Sequence, residues 1–317
     1  MMGPGAYSGG RMSETTRILP FDDEAIAEAA RLIAEGQPVA VPTETVYGLA
    51  ADATNADAVA RIYEAKGRPS FNPLIVHVAD LAAADRIGEF DDLAHSLAEA
   101  HWPGPLTLVV PRRADAAIAS LVTAGLSTIA LRVPAHPAMQ ALLRATGRPL
   151  AAPSANASGS ISPTRADHVM KSLSGRIPLI IDGGRTERGL ESTIVAATGG
   201  TLRLLRRGPI DIPHALQVES GTIEAPGQLA SHYAPSKPLR LDANEAGNDD
   251  YLIGFGTLEG HANLSPSGDL VEAAANLFDL LHKADASDKL RIAIAPVPDE
   301  GLGATIIDRL RRAAAPR

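Results

Sequence analysis

Residues 38–78 read PVAVPTETVYGLAADATNADAVARIYEAKGRPSFNPLIVHV, and the class of fold turns on this stretch. Pro38-Val39-Ala40-Val41 is a short apolar run of the kind a buried strand needs, and Val59, Ile62 and Tyr63 within Ala56 to Ala65 recur at helical spacing. Leu74-Ile75-Val76-His77-Val78 then reads as a strand again. Upstream, Asp22 and Asp23 precede Ile26, Ala30, Ile33 and Ala34, with Gly36 placed to end that helix. Downstream, strands are expected at Leu106 to Val110, Ile129 to Val133, Pro149 to Ala152, Leu179 to Ile181, Thr193 to Ala196 and Leu202 to Leu205. They alternate with helices near 92–100, 136–146 and 164–174. Several strand-to-strand steps are too short for parallel crossovers, so an α/β fold on a mixed twisted sheet is expected over 15–208.

From Pro209 to Pro238 the periodicity dissolves into Pro, Gly, Ser and Thr, the composition of a linker. Strands at Leu239 to Leu241, Tyr251 to Phe255 and Arg291 to Ala295, with helices near 268–284 and 303–314, then make a small Rossmann-like α/β domain over 239–317. Residues 1–14, Gly-rich and without periodic apolar positions, read as a disordered lead, with Met12 an alternative first residue. No internal repeat is present.

The chain of 317 residues exceeds what one core usually absorbs, which favours two domains. No apolar run approaches the roughly 20 residues of a membrane span, and no secretory signal opens the chain, so a cytoplasmic enzyme is expected. The absence of cysteine removes disulfides, thiolate metal sites and a Cys nucleophile. With 37 Asp plus Glu against 29 Lys plus Arg, the net charge of −8 gives weak long-range attraction to polyanions. Any anion must therefore be held by a local cluster.

Four such clusters stand out. Pro42-Thr43-Glu44-Thr45-Val46-Tyr47-Gly48-Leu49 concentrates hydroxyls, a carboxylate and a phenol in what reads as a loop after the first strand, where open α/β sheets bind ligands. Lys66-Gly67-Arg68-Pro69, with Asn72-Pro73 following, can present a point charge and a bidentate fork to one phosphate, or simply cap a helix end. Thr128 and Arg132 share a face of an apolar strand; a buried Arg132 needs an anion, either a ligand or a structural Asp or Glu. Ser154 and Asn156 in Pro153-Ser154-Ala155-Asn156 suit ligand binding or turn capping. The fourth cluster comprises Asp182-Gly183-Gly184, Glu191-Ser192-Thr193 and Arg203, Arg206 and Arg207. Neither a P-loop, a dinucleotide loop, H-E-x-x-H nor G-x-S-x-G occurs. On residue chemistry alone the chain is an anion-binding α/β enzyme.

In this order the clusters resemble the YrdC-type threonylcarbamoyl-AMP synthases, in the long form with an additional C-terminal domain. The matching segments are PTETVYGL (42–49), KGRP with Asn72 and His77, STIALRVP (127–134), PSAN (153–156), DGG with ESTI, LRRG (205–208) and HYAP (232–235). The resemblance implies a YrdC-like sheet and an ATP-dependent synthesis of L-threonylcarbamoyladenylate and pyrophosphate from L-threonine, bicarbonate and ATP. It implies a threonine pocket of Thr45, His77, Arg132, Ala152 and Ser192. It places Arg68, Asn72, Thr128, Ser154, Ser162, Arg206 and Tyr233 on ATP, with Lys66 and Asn156 close to the phosphates. Lys66, Arg68 and Arg206 are then the candidates for stabilising developing charge, with Mg2+ accompanying ATP and no protein side chain assigned to the metal. A further enzyme would pass the threonylcarbamoyl group to tRNA, and residues 209–238 would act as a lid. An RNA-binding protein using the same concave basic surface is the alternative, weakened by the acidic charge and sparse aromatics. A carbamoyl-phosphate-dependent relative of the hydrogenase-maturation type would carry zinc-finger cysteines, which this chain lacks.

Overall fold

The computed structural model describes residues 15–217, 224–228 and 231–316. The lead expected over 1–14 lies outside them, as do 218–223 and 229–230 of the expected linker. Strand β1 (Arg17–Pro20) and helix α1 (Asp23–Ala34) lead into the hairpin β2 (Val39–Pro42) and β3 (Tyr47–Asp52) and helix α2 (Ala56–Lys66). Strand β4 (Ile75–His77), helices α3 (Leu81–Asp85) and α4 (Asp92–His101), strand β5 (Leu106–Pro111), helix α5 (Ser120–Thr123) and strand β6 (Thr128–Arg132) follow. Helix α6 (Pro137–Thr146), strand β7 (Leu150–Ala151), helix α7 (Ala166–Leu173) and strands β8 (Leu179–Asp182), β9 (Thr193–Thr198), β10 (Thr201–Arg206) and β11 (Leu216–Gln217) complete the first unit. The second comprises β12 (Leu239–Arg240), β13 (Asp250–Gly254), β14 (Ala262–Asn263), α8 (Leu270–Asp285), β15 (Arg291–Ile294) and α9 (Leu302–Ala314).

The large sheet runs β1-β8-β2-β3-β7-β4-β6-β5-β9-β10-β11 and mixes parallel pairs such as β4 with β6 and antiparallel pairs such as β5 with β6. Helices α1 and α6 bury Ile26, Ile33, Met139 and Leu142 on one face; α2, α4 and α7 bury Ile62, Ala98 and Val169 on the other. The small sheet, β12-β15-β13-β14, is parallel throughout. Side-chain caps start the helices where the sequence supplies them: Asp22 accepts from Ala25 N at 2.8 Å, and Asn55 from Asp57 N at 3.0 Å.

Tyr47-Gly48-Leu49 is not loop but the start of β3, which pairs antiparallel with β2. Every residue of β3 is buried, so the alternation that marks a half-exposed strand is missing. The turn is confined to Thr43–Val46, closed by the Thr43 hydroxyl donating to Val46 O at 2.7 Å. Strand β1, which borders the sheet on β8, carries largely exposed positions and so left no apolar pattern.

The two units share a core. Val46, Ile161, Leu190 and Tyr233 pack with Leu277, Phe278, Ile306 and Leu310 of the second unit. Gly189, at φ +67°, permits a close approach of α8, since a Cβ there would lie 2.4 Å from Ala275 O. The described parts of the segment between the units are packed against the fold: β11 joins the large sheet, Ala225 is buried against Ile75 and Val109, and Ala234 bridges Ser160.

The seam also holds a pair of stacked imidazoles, buried His168 of α7 and partly buried His282 of α8, with ring centroids 3.9 Å apart. His282 Nε2 lies 3.2 Å from Ser162 O. Burial, then the neighbouring His168, pushes His282 down to about 3 from an ordinary 6.5. Because the folded value lies below the unfolded one, the stability of the neutral ring is complete above the unfolded value and is lost as pH falls beneath it. At about pH 5 the loss from His282 alone is expected to be about 2 kcal/mol. Urea unfolding at neutral pH and near pH 5 reads the sum over the buried imidazoles, His168 and His77 included, and the His282 share is the part by which a His282→Asn chain is expected to show a smaller difference.

Candidate functional site

A cavity opens where the ends of several central strands meet the segment between the units. The Thr43–Val46 turn contributes Thr43 and Thr45; Arg68 follows the left-handed Gly67 that terminates α2 (φ 59°); Ala152 and Ser154 follow β7. His77 of β4 and Arg132 of β6 are direct partners in a parallel pair, so both enter from neighbouring strands. Ser192 immediately precedes β9, Arg206 ends β10, and Pro226, Gly227, His232 and Tyr233 close the remaining side.

Of the residues singled out in the sequence, the structure brings Thr45, Arg68, His77, Arg132, Ala152, Ser154, Ser192, Arg206 and Tyr233 to the cavity wall. Lys66, Asn72, Thr128, Asn156 and Ser162 are not among its lining residues. Lys66 is the largest departure from expectation. Its ammonium is buried and donates to Ser154 O and Asn156 O, each at 2.5 Å, so it holds the Ser154–Asn156 loop instead of facing the cavity. Burial and the nearby Arg68 push its pKa well below the usual lysine value. Asn156 donates to Ser160 O at 2.8 Å, and the Ser162 hydroxyl donates to Glu191. Thr128 stands at the far end of β6 from Arg132, partnered with Pro111. Asn72 O accepts from the Tyr63 hydroxyl at 3.0 Å.

The anion that a buried Arg132 requires is supplied by the protein. Arg132 Nη2 pairs with Glu44 Oε1 at 2.5 Å, Nη1 donates to the Thr45 hydroxyl at 3.0 Å, and Nε to Gly104 O at 3.2 Å. Burial alone would raise the Glu44 pKa; the Arg132 charge and hydrogen bond outweigh it, with help from Ala135 N, and hold it below the usual value. The Asp182-Gly183-Gly184 cluster has a structural task as well: Gly184 O accepts from the Tyr47 hydroxyl at 2.7 Å and so anchors β3.

The opposite side of the cavity is cationic. Arg206 donates to Ser192 O and Ser192 Oγ, each at 3.0 Å, and Ser192 Oγ lies 2.7 Å from Thr107 Oγ1. Arg68 donates to Asn72 O and Pro73 O at 3.2 and 2.9 Å. Among the described residues neither arginine has a carboxylate in an ion pair. Burial pushes Arg68 down to about 10, with Arg206 adding to the effect, and burial lowers Arg206 also. Burial, with Arg132 adding to it, pushes His77 down to about 3 and leaves it neutral. Buried polar atoms with no partner among the described residues gather here: His77 Nδ1, His232 Nδ1 and the Tyr233 hydroxyl belong to residues that line the cavity. Such atoms are costly in a native fold unless a ligand completes them.

Glu44 and Glu191 were visible in the matching motifs, but nothing local revealed that each would neutralise an arginine far along the chain. Gly227 gave no signal; at φ +87° its Cβ would meet Arg206 Cδ at 2.9 Å and the Tyr233 hydroxyl at 3.0 Å.

A family model described as telomere recombination, that of the Sua5, YciO and YrdC proteins, matches residues 31–208. A second, described as the C-terminal domain of threonylcarbamoyl-AMP synthase, matches residues 193–315. The threonylcarbamoyl-AMP synthase of Bacillus subtilis is 41% identical, over 96% of this chain and 97% of its own length. That of Pyrococcus abyssi is 38% identical over 90% and 93%. The crystal structure of P. abyssi Sua5 complexed with L-threonine superposes with a TM-score of 0.86 at 36% identity, covering 94% of this chain and 97% of that one.

Proposed function

Because this chain belongs to the Sua5/YciO/YrdC family, in the form that carries the threonylcarbamoyl-AMP synthase C-terminal domain, we infer that it makes L-threonylcarbamoyladenylate from L-threonine, bicarbonate and ATP. The supporting observation is the pair of buried arginines, Arg68 and Arg206, that converge on one cavity without carboxylate partners among the described residues. Buried cations of that kind are relieved by a polyanion.

The chemistry asks for no protein nucleophile. The neutral amine of threonine and bicarbonate give a carbamate and water; a carbamate oxygen then attacks the α-phosphorus of ATP, and the bond to pyrophosphate breaks. The chain positions the reactants and compensates charge. On this reading Thr45, His77, Arg132, Ala152 and Ser192 surround threonine. Arg68, Ser154, Arg206 and Tyr233 contact ATP directly, while Lys66, Asn156 and Ser162 shape the loops that do so. Asn72 and Thr128 lie beyond the cavity wall and would meet only the outer part of the nucleotide. Mg2+ would arrive with the phosphates and neutralise their charge; no group of three His, Asp or Glu among the described residues is arranged to hold an ion by itself. The described parts of 209–238 form a strap over the nucleotide side, with 239–317 as its anchor. The product would pass to a threonylcarbamoyl transferase acting on tRNA in the cytoplasm. The RNA-binding alternative is not favoured, since Lys66, Arg68 and Arg206 are buried inside the fold.

Pyrophosphate release measured with threonine, bicarbonate and ATP, omitting each in turn, tests the reading; release that is indifferent to threonine would overturn it. Arg68→Ala is expected to raise the barrier by about 2–4 kcal/mol, with a smaller effect on ATP binding, if the guanidinium acts on developing charge. A higher KM for ATP at unchanged turnover would instead assign it to ground-state binding.

A further inference from the structure

Helix α9 of the second unit sends one side chain across the seam to the wall of the cavity. Arg309 is 1% exposed, and each of its nitrogens is committed: Nε to Glu191 Oε2 at 2.9 Å, Nη1 to Asp308 Oδ2 at 2.6 Å and Nη2 to Arg207 O at 2.7 Å. Its guanidinium carbon also lies 5.0 Å from the centroid of the Tyr233 ring, which stacks on Phe278 of α8 at 5.5 Å. Glu191 and Tyr233 both line the cavity, and the other Glu191 oxygen accepts the Ser162 hydroxyl. The carbonyl gripped by Nη2 belongs to the residue after Arg206. One guanidinium thus fixes the carboxylate, the aromatic ring and the backbone that together form the nucleotide side of the site.

Packing alone does not account for an arginine here. A side chain such as methionine would fill the volume without the cost of removing a charge from water, and it would leave Glu191 free to rotate. The planar fork fixes angle as well as distance, which a lysine ammonium at the same place does not. We propose that Arg309 is a positioning residue of the active site, through which the C-terminal domain sets the nucleotide wall without touching substrate. The proposal rests on the adenylate-forming reading above.

The test uses the full chain, with ATP and threonine each titrated at saturating concentrations of the other substrates, and ATP binding measured separately by calorimetry. Arg309→Lys, which keeps the charge and loses the fork, is expected to raise the KM and Kd for ATP about 10-fold while the KM for threonine moves less than about 2-fold. Glu191→Gln, which keeps the shape of its partner, is expected to give the same ATP-selective change. The Arg309→Lys/Glu191→Gln chain is expected to show a loss well short of the product of the two single losses. A purely structural role predicts a lower melting temperature and fewer active molecules with both KM values unchanged, and that result overturns the proposal. So does an equal rise in both KM values, or fully multiplicative losses in the double variant. If the wild-type chain releases no pyrophosphate with threonine and bicarbonate, the functional reading fails; the calorimetric comparison still decides whether Arg309 sets the nucleotide wall.

Discussion

Arg132→Ala is expected to lower folding stability by about 3–5 kcal/mol and, in the fraction that folds, to weaken threonine binding by about 2–5 kcal/mol. The first effect follows from Glu44, whose carboxylate is buried against Arg132 and otherwise accepts backbone N–H groups, that of Ala135 at 3.0 Å among them. Removing the guanidinium leaves an uncompensated charge in the interior. The sign of the pH dependence follows. In the wild type the Glu44 pKa is held below 4.5, so its contribution is present above that value and lost as pH falls through the folded pKa. Without Arg132, burial alone raises the pKa, so the deficit of the variant is greatest near neutral pH and shrinks toward acid. Glu44→Gln/Arg132→Met removes both charges and is expected to recover most of the stability but none of the threonine affinity. Urea unfolding gives the first quantity and calorimetry with threonine the second. Recovered affinity in the double variant would show that Arg132 serves Glu44 and not the substrate.

The same pair shows where reading the sequence succeeds and where it stops. That Arg132 must meet an anion was legible, because an arginine in Thr-Ile-Ala-Leu-Arg has apolar neighbours and a strand leaves it nowhere to turn. Which anion was not legible: Glu44 lies 88 positions away, and only the pairing of β4 with β6 beside the turn after β2 brings them together. Lys66 makes the complementary point. Its place at the end of an amphipathic helix fits capping at least as well as a phosphate, and only the family resemblance sets it near the phosphates; local spacing cannot tell an ammonium facing a cavity from one holding two carbonyls of another loop. The alternation of strands and helices was readable from apolar periodicity, whereas β3 was not, because full burial on both faces erases the period. The seam was least legible of all. Val46 reads as part of one unit's motif, and the helices α8 and α9 that share its core begin more than two hundred positions downstream.

That seam gives Tyr233 two separable duties, and only one of its two variants is expected to lose stability. The residue is fully buried in a left-handed backbone conformation (φ 63°), which an ordinary side chain adopts only under constraint. Phe278, Arg309 and His232, the last in a T-shaped contact, pack around its ring, and its buried hydroxyl has no partner among the described residues. Tyr233→Ala empties the space between the strap and α8 and is expected to cost about 3–5 kcal/mol of stability, as large-to-small changes of buried aromatics do. It also opens the nucleotide side to water, so ATP consumption is expected to outrun adenylate formation. Tyr233→Phe keeps the ring contacts and removes only an unsatisfied polar atom. Unfolding stability without ligand is therefore expected to stay level or rise slightly, while ATP binding weakens by about 0.5–1.5 kcal/mol, the worth of one hydrogen bond. Thermal melts with and without ATP, read beside the ratio of pyrophosphate to adenylate, separate the two duties. A Tyr233→Phe chain that binds ATP as the wild type does would show that the hydroxyl has no partner in the nucleotide and that the strap acts through the ring alone.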